Sequence, residues 1–197
     1  MKKSQLVLMS GGGFSTESES YIDQFAINLC EKEGKKNLFF IPTASQDAEG
    51  YIEKFNSAFT NHYTYSLTEK DLTNHELIEK ADLIYIGGGD PHYLMEVWRK
   101  TNFDKKIVEC LRKGVVIVGI SAGAMCWFED MRSECLTSQG LGILKGSLCP
   151  HYDIEDEEKD DYDEWSIQHP DIRHYRLADK DNFHVVDERI VAKISTY

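Results

Sequence analysis

A serine flanked by small residues at the end of a buried strand can be made into a nucleophile, and Val115-Val116-Ile117-Val118-Gly119-Ile120-Ser121-Ala122-Gly123-Ala124-Met125 has that form. The run reads as a strand, a tight turn and the start of a helix. Such a turn holds its central residue in a strained conformation, so the positions two before and two after must be small, as Gly119 and Gly123 are. The geometry lifts the Ser121 hydroxyl above the sheet, with the N–H of Ala122 and the start of the helix placed to receive an oxyanion. Read without chemistry, the same serine would simply cap a helix, with glycines that allow close packing.

A second glycine run, Gly87-Gly88-Gly89-Asp90-Pro91, follows the strand-like Leu83-Ile86 and opens a helix with proline in its first turn. Its N–H groups would face the same rim as Ser121, which makes Gly88 and Gly89 the other half of an oxyanion hole. A phosphate cradle fits less well, because no Lys-Ser/Thr follows and no G-x-G-x-x-G is present. Gly11-Gly12-Gly13 lacks the spaced third glycine for the same role.

A serine nucleophile needs a base, and the chain offers seven histidines. His62 and His75 lie in or beside predicted helices away from the rim. His92 adjoins the glycine loop and stays in reserve, while His169, His174 and His184 fall in an irregular C-terminal part. His151, in Pro150-His151-Tyr152 behind the apolar-leaning Leu144-Cys149, is best placed to be delivered by a strand end. The five cysteines, Cys30, Cys110, Cys126, Cys135 and Cys149, form no C-x-x-C pair. They read as small half-buried residues, although Cys149 stands close enough to His151 to be weighed as a rival nucleophile.

The elements that must position these residues alternate in the manner of βαβ units. Strands are predicted at Gln5-Leu8, Asn37-Ile41, Tyr63-Leu67, Leu83-Ile86 and Val115-Gly119. Helices are predicted at Glu19-Glu33, Gln46-Asn61, Asn74-Lys80, Pro91-Lys100 and Phe103-Lys113. This is an α/β chain with a mainly parallel sheet flanked by helices, and residues 1–197 are read as a single domain. Right-handed crossovers then bring the loops Ser10-Gly13, Pro42-Ser45, Gly87-Pro91 and Gly119-Gly123 to one rim, where open α/β sheets put their ligands. Phe183-Val186 and Ile190-Ile194, around Asp187-Glu188-Arg189, suggest a C-terminal β-hairpin. Between Asp153 and Glu164 stand nine carboxylates and one lysine, which predicts a solvated loop or helix.

The net charge of -12 argues against binding nucleic acid or an anionic membrane surface. After Met1-Lys2-Lys3 the only early apolar stretch, Leu6-Val7-Leu8-Met9, is too short for a signal peptide or a membrane span, so a cytoplasmic location is expected.

Taken in order, Gly87-Gly88-Gly89 after one strand, Ser121-Ala122-Gly123-Ala124 after the next and Pro150-His151-Tyr152 downstream resemble the peptidase E family of serine dipeptidases. That family shares the class I glutamine amidotransferase-like fold and is related to cyanophycinase. The resemblance covers about the first 150 residues. It implies Ser121 as nucleophile, His151 as general base and Gly88-Gly89 in the oxyanion hole. For the third triad member it implies either an acid soon after the serine (Glu129, Asp130 or Glu134) or one near the last strands, where Asp179 in Leu177-Ala178-Asp179-Lys180-Asp181 is preferred. It further implies short peptides with N-terminal Asp as substrates, an arginine clamp drawn from Arg173 and Arg176 with Arg132 more distant, no metal or organic cofactor, and a homodimer. The acidic run works against an anionic substrate and would suit Asp-Arg units of the cyanophycin kind. Two other readings share the motif: an α/β-hydrolase esterase, for which little chain remains after Ser121, and a non-catalytic small-molecule binder on the same sheet.

Overall fold

The computed structural model describes residues 2–16, 21–154 and 157–195. Four apolar runs and the more polar edge segment Tyr63–Ser66 form five parallel strands, β1 (Gln5–Met9), β2 (Asn37–Ile41), β3 (Tyr63–Ser66), β4 (Leu83–Ile86) and β5 (Val116–Ile120). A C-terminal antiparallel pair, β10 (Asp181–Val186) and β11 (Arg189–Ser195), completes a seven-stranded sheet in the order β11-β10-β1-β5-β4-β2-β3. Alternation with period two sorts side chains to opposite faces. Leu6, Leu8, Phe39, Ile41, Ile84, Ile86 and Ile117 enter one buried layer, whereas Val7, Met9, Leu38, Phe40, Leu83, Tyr85, Val116 and Val118 enter the other.

The first layer is covered by α3 (Pro91–Thr101) and α4 (Phe103–Arg112) through Leu94, Trp98, Ile107 and Leu111. The second is covered by α1 (Tyr21–Leu29) and α2 (Glu49–Ala58) through Ile22, Ala26 and Phe55. The predicted start of α1, Glu19-Ser20, lies outside the described residues. Helix α3 begins where the sequence suggested: the Asp90 side chain accepts from the N–H groups of His92 and Tyr93 at 2.8 and 3.0 Å, with Pro91 behind it. It ends at Asn102, which adopts the left-handed conformation that separates it from α4. The helix predicted over Asn74-Lys80 is a single 3₁₀ turn, His75–Ile78, because so short a segment cannot offset the cost of nucleating an α-helix.

Beyond α5 (Ala122–Met125) the chain builds a second sheet from β6 (Phe128–Ser133), β7 (Leu136–Gln139), β8 (Leu144–Cys149) and β9 (His174–Arg176), in the order β7-β6-β8-β9. The β6–β7 turn places Glu134 and Cys135 at positive φ without a glycine, so the sequence carried no hairpin signal there. The described part of the acidic run includes α6 (Glu157–Gln168), which crosses from β8 to the parallel β9. Tyr162 and Trp165 are buried from α6 against Cys149. Two arginines hold the helix down. Arg176 reaches Asp163 at 3.0 and 2.8 Å and Ser166 Oγ at 2.8 Å, and Arg132 meets both oxygens of Asp161 at 2.7 and 2.5 Å. Helix α6 therefore docks as a neutralised face and is no free acidic arm.

Burial pushes the Asp163 carboxyl up, but the bonds from Arg176 and Tyr152 outweigh it and leave Asp163 below the ordinary carboxylate range. The hydrogen bond from Arg132 does the same for Asp161. Groups depressed in the folded state contribute stability that is present above the unfolded value, about 3.9 for Asp, and is lost as pH falls through the folded value. The Asp161→Asn/Asp163→Asn double variant should melt below wild type at about pH 6, with the gap closing as pH drops below about 4. Thermal melts across this range check it, and a gap that stays constant would refute the linkage.

Candidate active site

The buried strand β5 delivers Ser121 to the rim with φ 52° and ψ -112°, a conformation a non-glycine residue adopts only under constraint. Strain of this kind costs about 1–3 kcal/mol and persists where the surroundings over-determine it. Here the Ser121 N–H donates to Met9 O on β1 at 2.9 Å, and the Ser121 carbonyl accepts from the N–H groups of Ala124 and Met125 at 2.8 and 2.9 Å. The flanking glycines are sterically required. A Cβ on Gly119 would stand 2.0 Å from Gly123 O, and one on Gly123 would stand 2.4 Å from Ile86 O. Ala122 and Gly123 precede the first bonded N–H of the turn, which leaves their N–H groups outside the intrahelical pattern.

Strand β8 ends at Cys149, and the chain turns through Pro150 to place His151 at φ 55°. His151 Nε2 lies 3.0 Å from Ser121 Oγ, and its Nδ1 bonds Asp179 Oδ1. A carboxylate only accepts when ionised, so a neutral imidazole in this arrangement would carry its proton on Nδ1 and turn the Nε2 lone pair to the serine hydroxyl. The loop bearing Asp179 runs beside the loop bearing His151. Leu177 N–H donates to Cys149 O at 3.0 Å, Tyr152 N–H to Leu177 O at 2.9 Å, and Asp179 N–H to Asp153 Oδ1 at 2.8 Å.

The other acids stand elsewhere. Glu129 is held by Lys145 and by the Gly146 N–H at 3.2 Å, Asp130 lies on β6, and Glu134 is in the β6–β7 turn. The other histidines are likewise engaged: His92 with Ser138 Oγ and Ser133 O, His174 with Ser147 Oγ and His169 O, His184 with Gln5 Oε1. Cys149 is buried against Tyr162 and Trp165.

The glycine loop sits where the sequence put it, with one difference. A Cβ on Gly88 would lie 3.2 Å from Ser121 Cβ, so the loop packs directly on the serine. The Gly88 N–H, however, donates to the Tyr51 hydroxyl at 3.4 Å, while Gly87 and Asp90 donate to Ile41 O and Ala44 O. Among the described residues, Gly89 and Ala122 are the candidate donors whose N–H groups carry no such bond. Gly89 is at φ 137°, and a Cβ there would meet Ala44 O at 2.2 Å. Tyr51 went unnoticed in the sequence because it belongs to a different element, α2.

The arginines depart from the clamp expectation. The Arg176 guanidinium is taken by Asp163 and Ser166 and lies over the Tyr152 and Tyr162 rings, 5.3 and 5.5 Å from their centroids, and Arg132 is taken by Asp161. Arg173 precedes β9, at the end away from His151, and lies over Tyr175. The acidic residues of α6 are what draw Arg176 and Arg132 away.

A mainly parallel sheet flanked by helices, with a serine on a strained strand-to-helix turn, defines an α/β protein with a nucleophile-elbow geometry. The chain belongs to Peptidase family S51, whose profile matches residues 6–193, and it is a peptidase of the peptidase E type. It is similar to the uncharacterized peptidase YgaJ of Bacillus subtilis strain 168, with 33% identity over 204 aligned positions that cover 98% of this chain and 87% of YgaJ. Peptidase E of Nostoc sp. strain PCC 7120 is 26% identical over 162 positions, covering 77% of this chain and 66% of the relative. The fold is that of a crystal structure of a peptidase from an acI-B1 Actinobacterium, with TM-score 0.73, 22% identity and coverage of 98% and 88% of the two chains. Among the described residues no helix is long and apolar enough to cross a membrane.

Because Gly123 abuts the Ile86 carbonyl, Gly123→Ala should lower stability by about 1–3 kcal/mol through overpacking and cut peptidase turnover beyond any loss of folded protein. Urea unfolding together with kcat per folded molecule measures both. Unchanged turnover would mean that the turn tolerates a shift.

Proposed function

We propose that the chain is a serine-type peptidase of short peptides, in which Ser121, His151 and Asp179 act as nucleophile, base and orienting acid. The observation that carries this is the continuous row from Ser121 Oγ to His151 Nε2, 3.0 Å apart, and from His151 Nδ1 to Asp179. As the Ser121 oxygen attacks the scissile carbonyl, His151 Nε2 takes its proton and Asp179 stabilises the imidazolium. The oxyanion is received by the N–H groups of Gly89 and Ala122, with Gly88 joining if the Tyr51 hydroxyl yields. When the C–N bond breaks, His151 returns the proton to the leaving amine. Water, deprotonated by the same ring, then attacks the ester and frees Ser121.

The family expectation of N-terminal Asp finds weak support in the arginines, since Arg176 and Arg132 are spent on Asp163 and Asp161. Neutral or cationic N-terminal residues suit a chain of net charge -12 better. Hydrolysis of Asp-Arg units, as by a cyanophycinase, is the second reading, and the acidic segment following His151 favours it.

An active-site phosphonate should label wild type and leave Ser121→Ala unlabelled, and Asp179→Asn should reduce kcat by about 10²–10⁴-fold by releasing the wrong imidazole tautomer. Labelling of Ser121→Ala would refute the nucleophile. A panel of Asp-X, neutral and Arg-containing dipeptides should rank Asp-X below the others, and the reverse order would overturn the specificity reading.

A further inference from the structure

The groups that make up the proposed triad come from distant parts of the chain, yet all meet three consecutive residues at the end of β1. Met9 O accepts the Ser121 N–H at 2.9 Å. Ser10 Oγ accepts the His151 N–H at 2.6 Å and donates to Leu177 O, two residues before Asp179, at 3.0 Å. The Ser10 N–H donates to Asp181 O at 3.3 Å. Gly11 lies against the acid–base pair: a Cβ there would be 2.8 Å from Asp179 Oδ1 and 3.1 Å from His151 Cε1.

The partners of Ser10 fix the direction of both bonds. A backbone N–H can only donate and a carbonyl can only accept, so one hydroxyl uses its proton on the Asp179 loop and a lone pair on the His151 residue itself. Ser10 is fully buried, at 0% exposure, so removing its hydroxyl takes a hydrogen-bond partner from both the His151 N–H and the Leu177 carbonyl. His151 needs such an anchor because its φ of 55° is uncommon for a non-glycine residue.

We propose that Ser10 is a positioning residue for the reaction: its hydroxyl clamps the two loops to β1 and thereby sets the His151 ring between Ser121 and Asp179. This rests on the triad reading above. A hydroxyl that merely filled space would affect stability alone, whereas a clamp also governs whether the imidazole meets its partners, and misplacing a reacting group by about 1 Å can cost on the order of 10²-fold in rate.

The test compares wild type with Ser10→Ala, Ser10→Cys and Ser10→Thr by thermal unfolding, peptidase kinetics and proton NMR of the His151 Nδ1–H, assigned by its absence in His151→Gln. Ser10→Ala is expected to lower kcat by about 10–100-fold with KM changed less than about threefold, and to lose the Nδ1–H resonance while still unfolding cooperatively. Ser10→Cys, which keeps the size and bonds weakly, covers the case in which Ala does not fold and should show the same losses. Ser10→Thr, which keeps the hydroxyl, should retain the resonance. A folded Ala or Cys variant with the resonance intact and kcat within about threefold of wild type overturns the proposal. If phosphonate fails to label wild-type Ser121 while the resonance is present in wild type and absent in Ser10→Ala, the nucleophile reading fails and the Ser10 clamp stands.

Discussion

The contact of Gly123 with the Ile86 carbonyl, and of Gly119 with the Gly123 carbonyl, is the constraint on which the site depends. Without side chains at these two positions, α5 settles directly onto the ends of β4 and β5, and the chain must reverse within one residue. That residue is Ser121, and its φ of 52° is the consequence. The strain of about 1–3 kcal/mol is offset by the parallel register, which sets Met9 opposite Ile120 and so presents Met9 O to the Ser121 N–H. The sheet therefore does more than carry the serine. It also brings the β1 end, the Gly87–Gly89 loop and the elbow to one level, so that groups from separate elements converge within bonding distance.

Much of this was legible before any coordinates. Except at the edge strand β3, the strands of the parallel sheet are buried on both faces and so appear as short continuous apolar runs, and Asn37–Ile41 and Leu83–Ile86 have the predicted bounds. Glycine spacing marked the elbow because the steric demand falls on the same residues that the motif names. Asp179 was reachable only through family resemblance, since nothing in Leu177-Ala178-Asp179-Lys180 announces a contact with His151. Ser10 stood in a loop recognised as belonging to the rim, but a serine beside three glycines carries no sign that its hydroxyl serves two loops more than a hundred residues away in the chain.

Of the second sheet only β8, at Leu144–Cys149, is legible, and the rest is opaque for a different reason. Its hairpin turns on Glu134 and Cys135, residues with no special preference for positive φ, so local propensity and tertiary structure disagree and the latter prevails. Helix α6 matches the helix alternative for the acidic run, but what docks it is hidden in the sequence. Glu157, Glu158 and Asp160 in its first turn suit the positive end of the helix dipole, yet the carboxylates further along suit nothing local. They become intelligible only with Arg132 and Arg176, which the family resemblance offers as a substrate clamp.

That pairing links stability to specificity. An arginine engaged by a carboxylate and flanked by tyrosine rings has its charge satisfied, and offering it to a substrate carboxylate would first require breaking the Asp163 bonds. The same carboxylate also holds Tyr152, the residue after His151, because the Tyr152 hydroxyl donates to Asp163 Oδ2 at 2.8 Å. Releasing Arg176 to a ligand would thus loosen the loop that carries His151. In this chain Arg176 holds the His151 loop through Asp163, and its guanidinium is committed to that carboxylate and to Ser166.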